Sequence, residues 1–328
     1  MAFRSFADNR RDDGGSRLTA TGLTAGADVA ILLSTHDGER FLADQLRSFL
    51  DQSHSCWTVH WRDDGSADAS VRMMRDFVDR TGRCVPHPPM ARIGVARSFL
   101  FLLAAARATS HDFYAFADQD DVWLPDKISR ATEALSAVAP GVAAIYCAGQ
   151  ILVDRDLRRV GRSPALRRVP GFPAALTQNI ATGCTMMLNG AAADLVLATR
   201  PPAGTLHDWW CYLVVSAAGG TVIADPEPVV LYRQHGGNLI GAPAGLATRG
   251  LAVMRRGPRA FMVRLRLHVV ALETQSHLLT PDARRDLAAI ARALRAGVPG
   301  RLAALRLAGF RRQGLLETAV FRLWFSLG

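Results

Sequence analysis

The stretch that decides the fold is Phe-Ala-Asp-Gln-Asp-Asp-Val-Trp-Leu at residues 116–124, where three aspartates follow an apolar run. Carboxylates held this close together repel one another, and Asp is disfavoured inside strands. A cluster of Asp118, Asp120 and Asp121 at the end of a strand therefore needs a compensating cation, and carboxylate oxygens suit Mg²⁺ or Mn²⁺. Taken alone, the same pattern also fits a solvated turn in which Asp126 caps the next helix.

On both sides of this stretch, apolar runs typical of buried strands alternate with segments whose apolar residues recur at helical spacing. The predicted strands are 29–34, 57–62, 84–87, 113–117 and 142–147. The predicted helices are 41–50, 69–80, 95–108 and 125–138, the last with Pro125 in its first turn. This alternation predicts an α/β fold with a mostly parallel sheet flanked by helices.

Polar segments follow three of the predicted strands, at the point where each strand ends. They are residues 34–39 after the first strand, 63–66 after the second and 118–121 after the fourth. Because open α/β sheets bind ligands beyond the carboxyl ends of their strands, we expect these segments to meet in one crevice. Further along, the sequence predicts strands near 185–188 and a strand pair within 221–233, with helices at 191–198 and 208–218.

The overall composition is that of a globular protein with a large core, since 49% of the 328 residues are hydrophobic. The five cysteines are odd in number and lack paired metal-ligand spacing, which indicates reduced core residues. Residues 1–27 are polar and without periodicity, so we predict a disordered segment rather than a signal peptide. With no apolar run of about 18 residues, the sequence predicts a cytoplasmic protein.

The last quarter of the chain carries the positive charge. Residues 245–328 contain 15 Arg and four acidic residues, whereas the remainder is close to neutral. Helices are predicted at 248–278, 282–296 and 301–326. We expect this region to lie on an anionic membrane surface at the inner face of the cell membrane, and its aromatic residues would add apolar contact. These aromatic residues are Phe310, Phe321, Trp324 and Phe325. Helices that cap the core or form a dimer contact are the alternative.

Six motifs occur in order along the chain. They are Ser-Thr-His-Asp-Gly-Glu at 34–39, Arg-Asp-Asp-Gly-Ser at 62–66, Asp-Gln-Asp-Asp-Val-Trp at 118–123, Thr-Gly-Cys-Thr-Met-Met-Leu at 182–188, His-Asp-Trp-Trp at 207–210 and Tyr-Arg-Gln-His-Gly-Gly-Asn at 232–238. In this order and spacing, the sequence closely resembles the family 2 glycosyltransferases with the GT-A fold, in particular the rhamnosyltransferase-like branch. The resemblance implies a GT-A domain over 28–245, after the disordered residues 1–27 and before a basic helical extension at 246–328.

The resemblance also implies roles for individual residues. The donor nucleotide would contact Thr35, Glu39, Asp64 and Asp118, with Asp64 accepting a hydrogen bond from the base. The divalent ion, Mg²⁺ or Mn²⁺, would be held by Asp120 and His235, and Asp208 would be the catalytic base. The acceptor or the sugar would contact Asp121, Thr182, Gly183, Trp209 and Trp210. The chain departs from the family at His36 and Asp37, where Tyr and Asn are usual.

The residues themselves leave simpler interpretations open. Residues 63–66 also have the composition of a plain turn. Asp208 stands at a predicted helix start and would serve equally as an N-cap. A lone histidine such as His235 is usually structural, and one of the two tryptophans at 209 and 210 is expected in the core.

The predicted function is that of an inverting, metal-dependent glycosyltransferase. It would move rhamnose or another hexose from a nucleoside diphosphate to a saccharide or lipid-linked acceptor in cell-surface polysaccharide synthesis. A nucleotidyltransferase is the alternative, but the chain lacks a Gly-rich basic loop after its first strand. A basic nucleic-acid-binding protein is a second alternative, but the tail has no recognised motif, so no nucleic acid partner is expected. The donor base, the sugar, the acceptor and the oligomeric state stay open.

Overall fold

The computed structural model describes residues 26–88, 91–235 and 246–328, with side chains from residue 257 onwards in the last range. Of the segment 1–27 that was predicted to be disordered, only residues 26 and 27 are described. The predicted boundary near residue 245 also lies outside the described residues. The division into a GT-A domain and a C-terminal extension therefore stays a prediction.

The described strands belong to one sheet. They are β1 Val29–Thr35, β2 Trp57–Asp63, β3 Cys84–Pro86, β4 Phe113–Ala117, β5 Val122–Trp123, β6 Ala144–Val153, β7 Arg159–Arg162, β8 Met187–Asn189 and β9 Thr221–Arg233. Their order is β3-β2-β1-β4-β8-β6-β9-β5, and β7 pairs with β6. The first four are parallel to one another, β8 is antiparallel to β4 and β6, and β6 is parallel to β9. The predicted α/β fold with a mostly parallel sheet is confirmed.

Helices cover both faces of the sheet. They are α1 Glu39–Leu50, α2 Ser70–Thr81, α3 Val95–Arg107, α4 Lys127–Ser136, α5 Gly190–Leu197, α6 His207–Ala217, α7 Leu246–Glu273, α8 Pro281–Arg295, α9 Gly297–Ala304 and α10 Leu315–Leu327. The helical run of α7 is interrupted at Gly257, where φ is 71°. Successive residues of β1 point to opposite faces. Leu32 therefore packs in the core with α3 and α6, whereas Leu33 packs with α1 and α2.

Several predicted boundaries were wrong. Helix α4 begins at Lys127, after Pro125. The predicted strand pair within 221–233 is the single strand β9, whose pairing with β6 is irregular around Gly149. A Cβ on Gly149 would lie 2.8 Å from the Pro226 carbonyl oxygen, so glycine lets the Pro-containing part of β9 stay in the sheet. The predicted helix 301–326 is two helices, α9 and α10, because the chain between them turns at Gly309 with φ 82°.

The C-terminal helices share a hydrophobic core with the face of the sheet that α3 and α6 cover. Phe310, Phe321 and Phe325 form a buried aromatic cluster, with ring centres 5.0 Å apart for the first two. The expectation that these three rings enter a membrane is therefore wrong, whereas Trp324 stays partly exposed. This packing matches the alternative in which the helices cap the core. Within the described ranges, no helix has the length and apolar character needed to span a membrane.

We predict that Phe321→Ala lowers the free energy of unfolding by about 3–5 kcal/mol, because it empties a ring-sized volume in the shared core. Leu323→Ala is the matched control on the same helix, since Leu323 is 57% exposed and its loss should change the free energy by less than about 0.5 kcal/mol. Urea denaturation of the full chain measures both. Equal, small effects would contradict a structural role for α10 in the core.

Candidate active site

The segments at the ends of β1, β2 and β4 lie against one another. The backbone of His36 and the side-chain amide of Gln119 exchange two hydrogen bonds, each of 2.8 Å. The Asp37 carboxylate accepts from the Ala67 amide at 2.7 Å, and the Asp37 amide donates to the Ser66 hydroxyl. The predicted meeting of the three strand ends in one crevice is confirmed.

This close approach restricts two residues after β1. A Cβ on Gly38 would collide with the Gln119 amide, so a side chain fits only if Gln119 moves. Asp37 has φ 47°, in the left-handed region that Asn and Asp tolerate better than other side chains. Asp37 can therefore adopt this backbone conformation, as an Asn at this position could.

Asp64 is buried, and the protein's own donors occupy most of its carboxylate. Its Oδ1 accepts from Arg62 at 2.7 Å and from the Ile93 amide at 2.8 Å, and its Oδ2 accepts from the Gly94 amide at 2.9 Å. Burial raises the pKa of Asp64, but these hydrogen bonds outweigh burial and hold the pKa below its ordinary value. A carboxylate offers about four acceptor positions, so Oδ2 retains one that an N–H of a base can use.

Thr35 and Glu39 hold the crevice loops in place. The Thr35 hydroxyl donates to Asp63 at 3.0 Å and accepts from the Trp61 indole at 2.9 Å. The Glu39 carboxylate accepts from the Ala69 amide at 2.8 Å, just before α2 begins. The predicted contacts of Thr35 and Glu39 with the donor stay predictions, and the described contacts link the ends of β1 and β2.

The aspartates after β4 form an acidic cluster, Asp118, Asp120 and Asp121, that is short of positive charge. Burial raises the pKa of Asp118 to about 7, and the charges of Asp120 and Asp208 add to this rise. Burial and the charges of Asp120 and Asp118 raise the pKa of the fully buried Asp121 well above its ordinary value. One oxygen each of Asp118 and Asp121 lies within 4.8 Å of the Cys184 Sγ.

Lys127, the only lysine of the chain, is buried beneath the acidic cluster. Its Nζ donates to the Cys184 carbonyl at 2.8 Å and lies 4.0 Å from the ring centre of Trp123. Burial lowers the pKa of Lys127 to about 8, and the charges on Asp121 and Asp118 oppose this shift. Lys127 therefore stays mostly cationic at neutral pH. No role was predicted for Lys127 from the sequence, although its being the only lysine beside many arginines could have marked it as a special position.

Arg233 and His235, at the end of β9, complete the site. His235 Nε2 lies 2.8 Å from Asp120 Oδ2, so the structure brings the two predicted metal ligands together. Arg233 Nε donates to the Asp120 carbonyl at 2.8 Å, and Nη2 donates to Asp44 on α1 at 2.8 Å. The Arg233 amide also donates to Asp121 at 3.0 Å. Arg233 belongs to the motif that contains His235, but no role was predicted for it from the sequence. Residues 236–238 of this motif lie outside the described part.

Asp208 lies in the first turn of α6. The N-cap of this helix is Leu206, so Asp208 is not the N-cap. Its Oδ2 accepts from the Gly183 amide at 3.0 Å, and its Oδ1 accepts from the Trp209 amide at 2.6 Å. Burial raises the pKa of Asp208 to about 6, although these two hydrogen bonds oppose the rise. A carboxyl with this pKa is poised to exchange a proton near neutrality.

The residues predicted to contact the acceptor or the sugar are mostly buried. Trp209 donates to the Ala175 carbonyl at 2.8 Å, and Trp210 donates to the Thr199 hydroxyl at 2.8 Å, so the core role expected for one tryptophan applies to both. The crevice contacts of these tryptophans and of Asp121 stay predictions.

Thr182 and Gly183 begin the turn that holds Asp208. Thr182 is partly exposed, and a 3₁₀ turn at Gly183–Thr185 follows it. A Cβ on Gly183 would lie 2.9 Å from His207 Nε2, so a side chain here would push against α6. Glycine therefore lets the turn approach α6 closely enough for its amide to reach Asp208. The predicted contacts of Thr182 and Gly183 with the acceptor or sugar stay predictions.

Comparison with known proteins gives sequence and structural relatives. Residues 30–187 match the model of the family described as glycosyl transferase family 2. The dTDP-rhamnosyl transferase RfbG of Shigella flexneri is 25% identical over 230 residues, which cover 64% of this chain and 74% of RfbG. The putative teichuronic acid biosynthesis glycosyltransferase TuaG of Bacillus subtilis is 27% identical over 107 residues, which cover 32% of this chain and 40% of TuaG. The crystal structure of S. aureus TarS residues 1–349 with UDP-GlcNAc has a TM-score of 0.57 and 13% identity, covering 81% of this chain and 72% of that one.

We predict that Lys127→Met lowers the free energy of unfolding by about 3 kcal/mol at pH 7.5, because it removes a buried cation from beneath ionised carboxylates. The loss should shrink at pH 5. Burial and neighbouring charges raise the pKa of Asp118 to about 7, so its carboxyl is then protonated and no longer needs the cation. Urea denaturation of the metal-free protein at the two pH values measures the change.

Arg130→Met is the matched control, because Arg130 lies on the same helix and forms a partly exposed ion pair with Asp225. It should cost no more than about 1 kcal/mol, with little change between pH 5 and 7.5, since the pKa of Asp225 is lowered. A Lys127→Met loss that is the same at both pH values would refute the electrostatic role.

Proposed function

Since residues 30–187 belong to glycosyl transferase family 2, we propose that this glycosyltransferase is inverting and metal-dependent and uses a nucleoside diphosphate sugar. The observation that carries the proposal is the meeting of the ends of β1, β2 and β4, where Asp120 lies 2.8 Å from His235 and Asp64 follows β2. Asp208 lies close enough for its charge to raise the pKa of Asp118. The similarity to a protein named dTDP-rhamnosyl transferase supports rhamnose or another hexose as the sugar.

The residues present fit a divalent cation. Three carboxylates share one site, and burial together with the neighbouring carboxylate charges raises the pKa of Asp118 and Asp121, so added positive charge would favour their ionised forms. Asp120 and His235 would hold Mg²⁺ or Mn²⁺, through oxygen and imidazole ligands. When bound, the ion supplies positive charge beside the leaving nucleoside diphosphate, where negative charge accumulates.

The chain's own residues position the donor and prepare the acceptor. Asp64 Oδ2 would accept one N–H of the base through its remaining acceptor position, and the loop around Asp118 would face the ribose and the diphosphate. Asp208 would take the proton of the acceptor hydroxyl as this oxygen attacks the anomeric carbon. Attack from the face opposite the leaving diphosphate inverts that carbon in one step and requires no covalent enzyme intermediate.

The proposed acceptor is a saccharide or a lipid-linked saccharide of cell-surface polysaccharide synthesis. The similarity to a teichuronic acid biosynthesis protein supports this class of pathway. The proposed location is cytoplasmic, at the inner face of the membrane. The charge asymmetry supports the membrane contact, because the positive excess lies in residues 245–328, where it would meet anionic lipids.

We predict that Asp120→Asn weakens Mn²⁺-dependent binding of dTDP at least about tenfold, because an amide is a poorer ligand for a hard cation than a carboxylate. Calorimetry with and without Mn²⁺ measures the effect. Asp126→Asn is the matched control, since Asp126 precedes α4 with no part in the acidic cluster. If Asp120→Asn binds dTDP as tightly as the original chain in Mn²⁺, the metal assignment fails.

We predict that Asp208→Asn lowers kcat at least about a hundredfold, because the amide accepts the Gly183 hydrogen bond but cannot take a proton. Transfer of labelled rhamnose from dTDP-rhamnose to a membrane fraction measures kcat, and dTDP affinity should hold. In the original chain, activity should fall below pH 6, where Asp208 becomes protonated.

The free energy of unfolding of Asp208→Asn shows whether the variant is folded, and so controls for a loss of kcat through misfolding. The pKa of Asp208 is raised from 3.8 to about 6 in the fold, so the folded chain holds a proton that the unfolded chain loses between these two values, and the original chain loses stability as the pH rises across that window. Asn cannot ionise, which favours the variant at pH 7.5, but its single acceptor oxygen replaces two, so its free energy of unfolding should stay within about 1 kcal/mol of that of the original chain. Normal transfer by this folded variant would remove Asp208 from the mechanism.

A further inference from the structure

The C-terminal helices enclose a groove of about 810 Å³ between α9, the connecting residues 305–314 and α10. Its apolar wall includes Leu302, Leu305 and Leu323, and three arginines, Arg306, Arg311 and Arg322, border it. We call this feature the arginine groove. The buried cluster of Phe310, Phe321 and Phe325 packs beneath it, so the groove is built on a rigid part of the core.

The charges of the arginine groove have no partner among the residues that the structure describes. No Asp or Glu side chain lines the groove. The guanidinium groups of Arg306, Arg311 and Arg322 are exposed, and none of them forms an ion pair with a described carboxylate. By contrast, Arg285 on α8 pairs with Asp282, and Arg295 pairs with Glu273. Three exposed, unpaired cations around one groove are suited to an anionic group such as a phosphate.

Exposed leucines lie on the face of α10 that carries Arg322 and Leu323, since helix positions four or seven residues apart share a face. Leu315 is 74% exposed and Leu316 is 73% exposed at the start of α10, and Leu327 is 72% exposed at its end. Single exposed leucines are ordinary on protein surfaces, but several around one basic groove form an amphipathic face. A free phosphate would make no use of these side chains, whereas an amphiphile with a phosphate head and apolar chains would contact both kinds of residue.

We propose that the arginine groove binds the phosphate head group of an anionic membrane lipid, while the exposed leucines of α10 enter the apolar layer. The proposal rests on the proposed function in one respect, because lipid binding at the arginine groove would hold the active site beside a lipid-linked acceptor. The proposal also names Arg306, Arg311 and Arg322 as the basic residues of the C-terminal region that bind the lipid head group. The buried phenylalanines support the groove from within and do not contact the lipid.

Flotation of the full chain with vesicles tests the proposal. Vesicles of 30% phosphatidylglycerol in phosphatidylcholine should bind the original chain at low salt, and pure phosphatidylcholine should not. The variant Arg306→Gln, Arg311→Gln, Arg322→Gln should bind the anionic vesicles about a hundredfold less well, since each arginine near such a surface contributes about fivefold. Leu315→Ser with Leu316→Ser should also reduce binding, which a site for free phosphate would not predict.

The matched control is Arg284→Gln, Arg285→Gln, Arg292→Gln on α8, which removes the same charge from another exposed basic surface. It should keep binding to within about threefold. Equal loss in the two triple variants would overturn the proposal in favour of attraction by net charge. Failure of the original chain to float, with a dimer in light scattering that the leucine variant abolishes, would assign the groove to a second copy instead.

Binding of dTDP with Mn²⁺ separates this proposal from the proposed function. Both triple variants should bind dTDP as the original chain does, because the arginine groove contains no crevice residue. Loss of flotation with intact dTDP binding supports the groove. Intact flotation without any dTDP binding in the original chain would instead contradict the proposed function and leave the groove supported.

Discussion

The negative charge gathered after β4 is the constraint on which the arrangement of the active site depends. Burial raises the pKa of Asp118 and of the fully buried Asp121, so their ionised forms carry a desolvation cost, and Asp120 places a third carboxylate beside them. The fold offsets part of that cost with Lys127, buried beneath the cluster, and with the amide of Arg233. Because this compensation is incomplete, the site retains a demand for positive charge that a divalent ion can meet.

The same residues that compensate the charge also fix the geometry. Lys127 joins the start of α4 to the Cys184 carbonyl, and the neighbouring Gly183 amide donates to Asp208. Arg233 joins the end of β9 to the Asp120 backbone and to Asp44 on α1. A guanidinium that donates from all three of its nitrogens is a rigid connector, because its planar donors fix the direction of each bond. The proposed metal ligands and the proposed base are thus held by one connected set of contacts.

The C-terminal helices are joined to the rest of the structure by apolar packing. Their apolar faces complete the core over α3 and α6, which explains why phenylalanines in a basic region are buried. Most of their described arginines remain at the surface, because burying an unpaired guanidinium costs far more than burying a ring, whereas Arg312 is partly buried over the ring of Phe261. The result is a helical layer that packs inward through aromatic residues and presents arginines and leucines outward.

The sequence by itself determined the α/β class, the meeting of three strand ends and the positions of the motif residues. These follow from local pattern, since strand and helix periods and the rule for parallel sheets need no knowledge of distant contacts. The single strand β9, the break between α9 and α10 and the burial of Phe321 were decided by packing.

Only the tertiary structure decided how the site residues are bonded. It gave Asp64 three donors from its own chain, buried both tryptophans at 209 and 210, and paired Arg233 with Asp44. Arg233 and Asp44 are 189 positions apart, and no local pattern carries information about such a pair. Periodicity records which side chains face the core, whereas the partner and the pKa of a polar group depend on which distant segments the fold brings beside it.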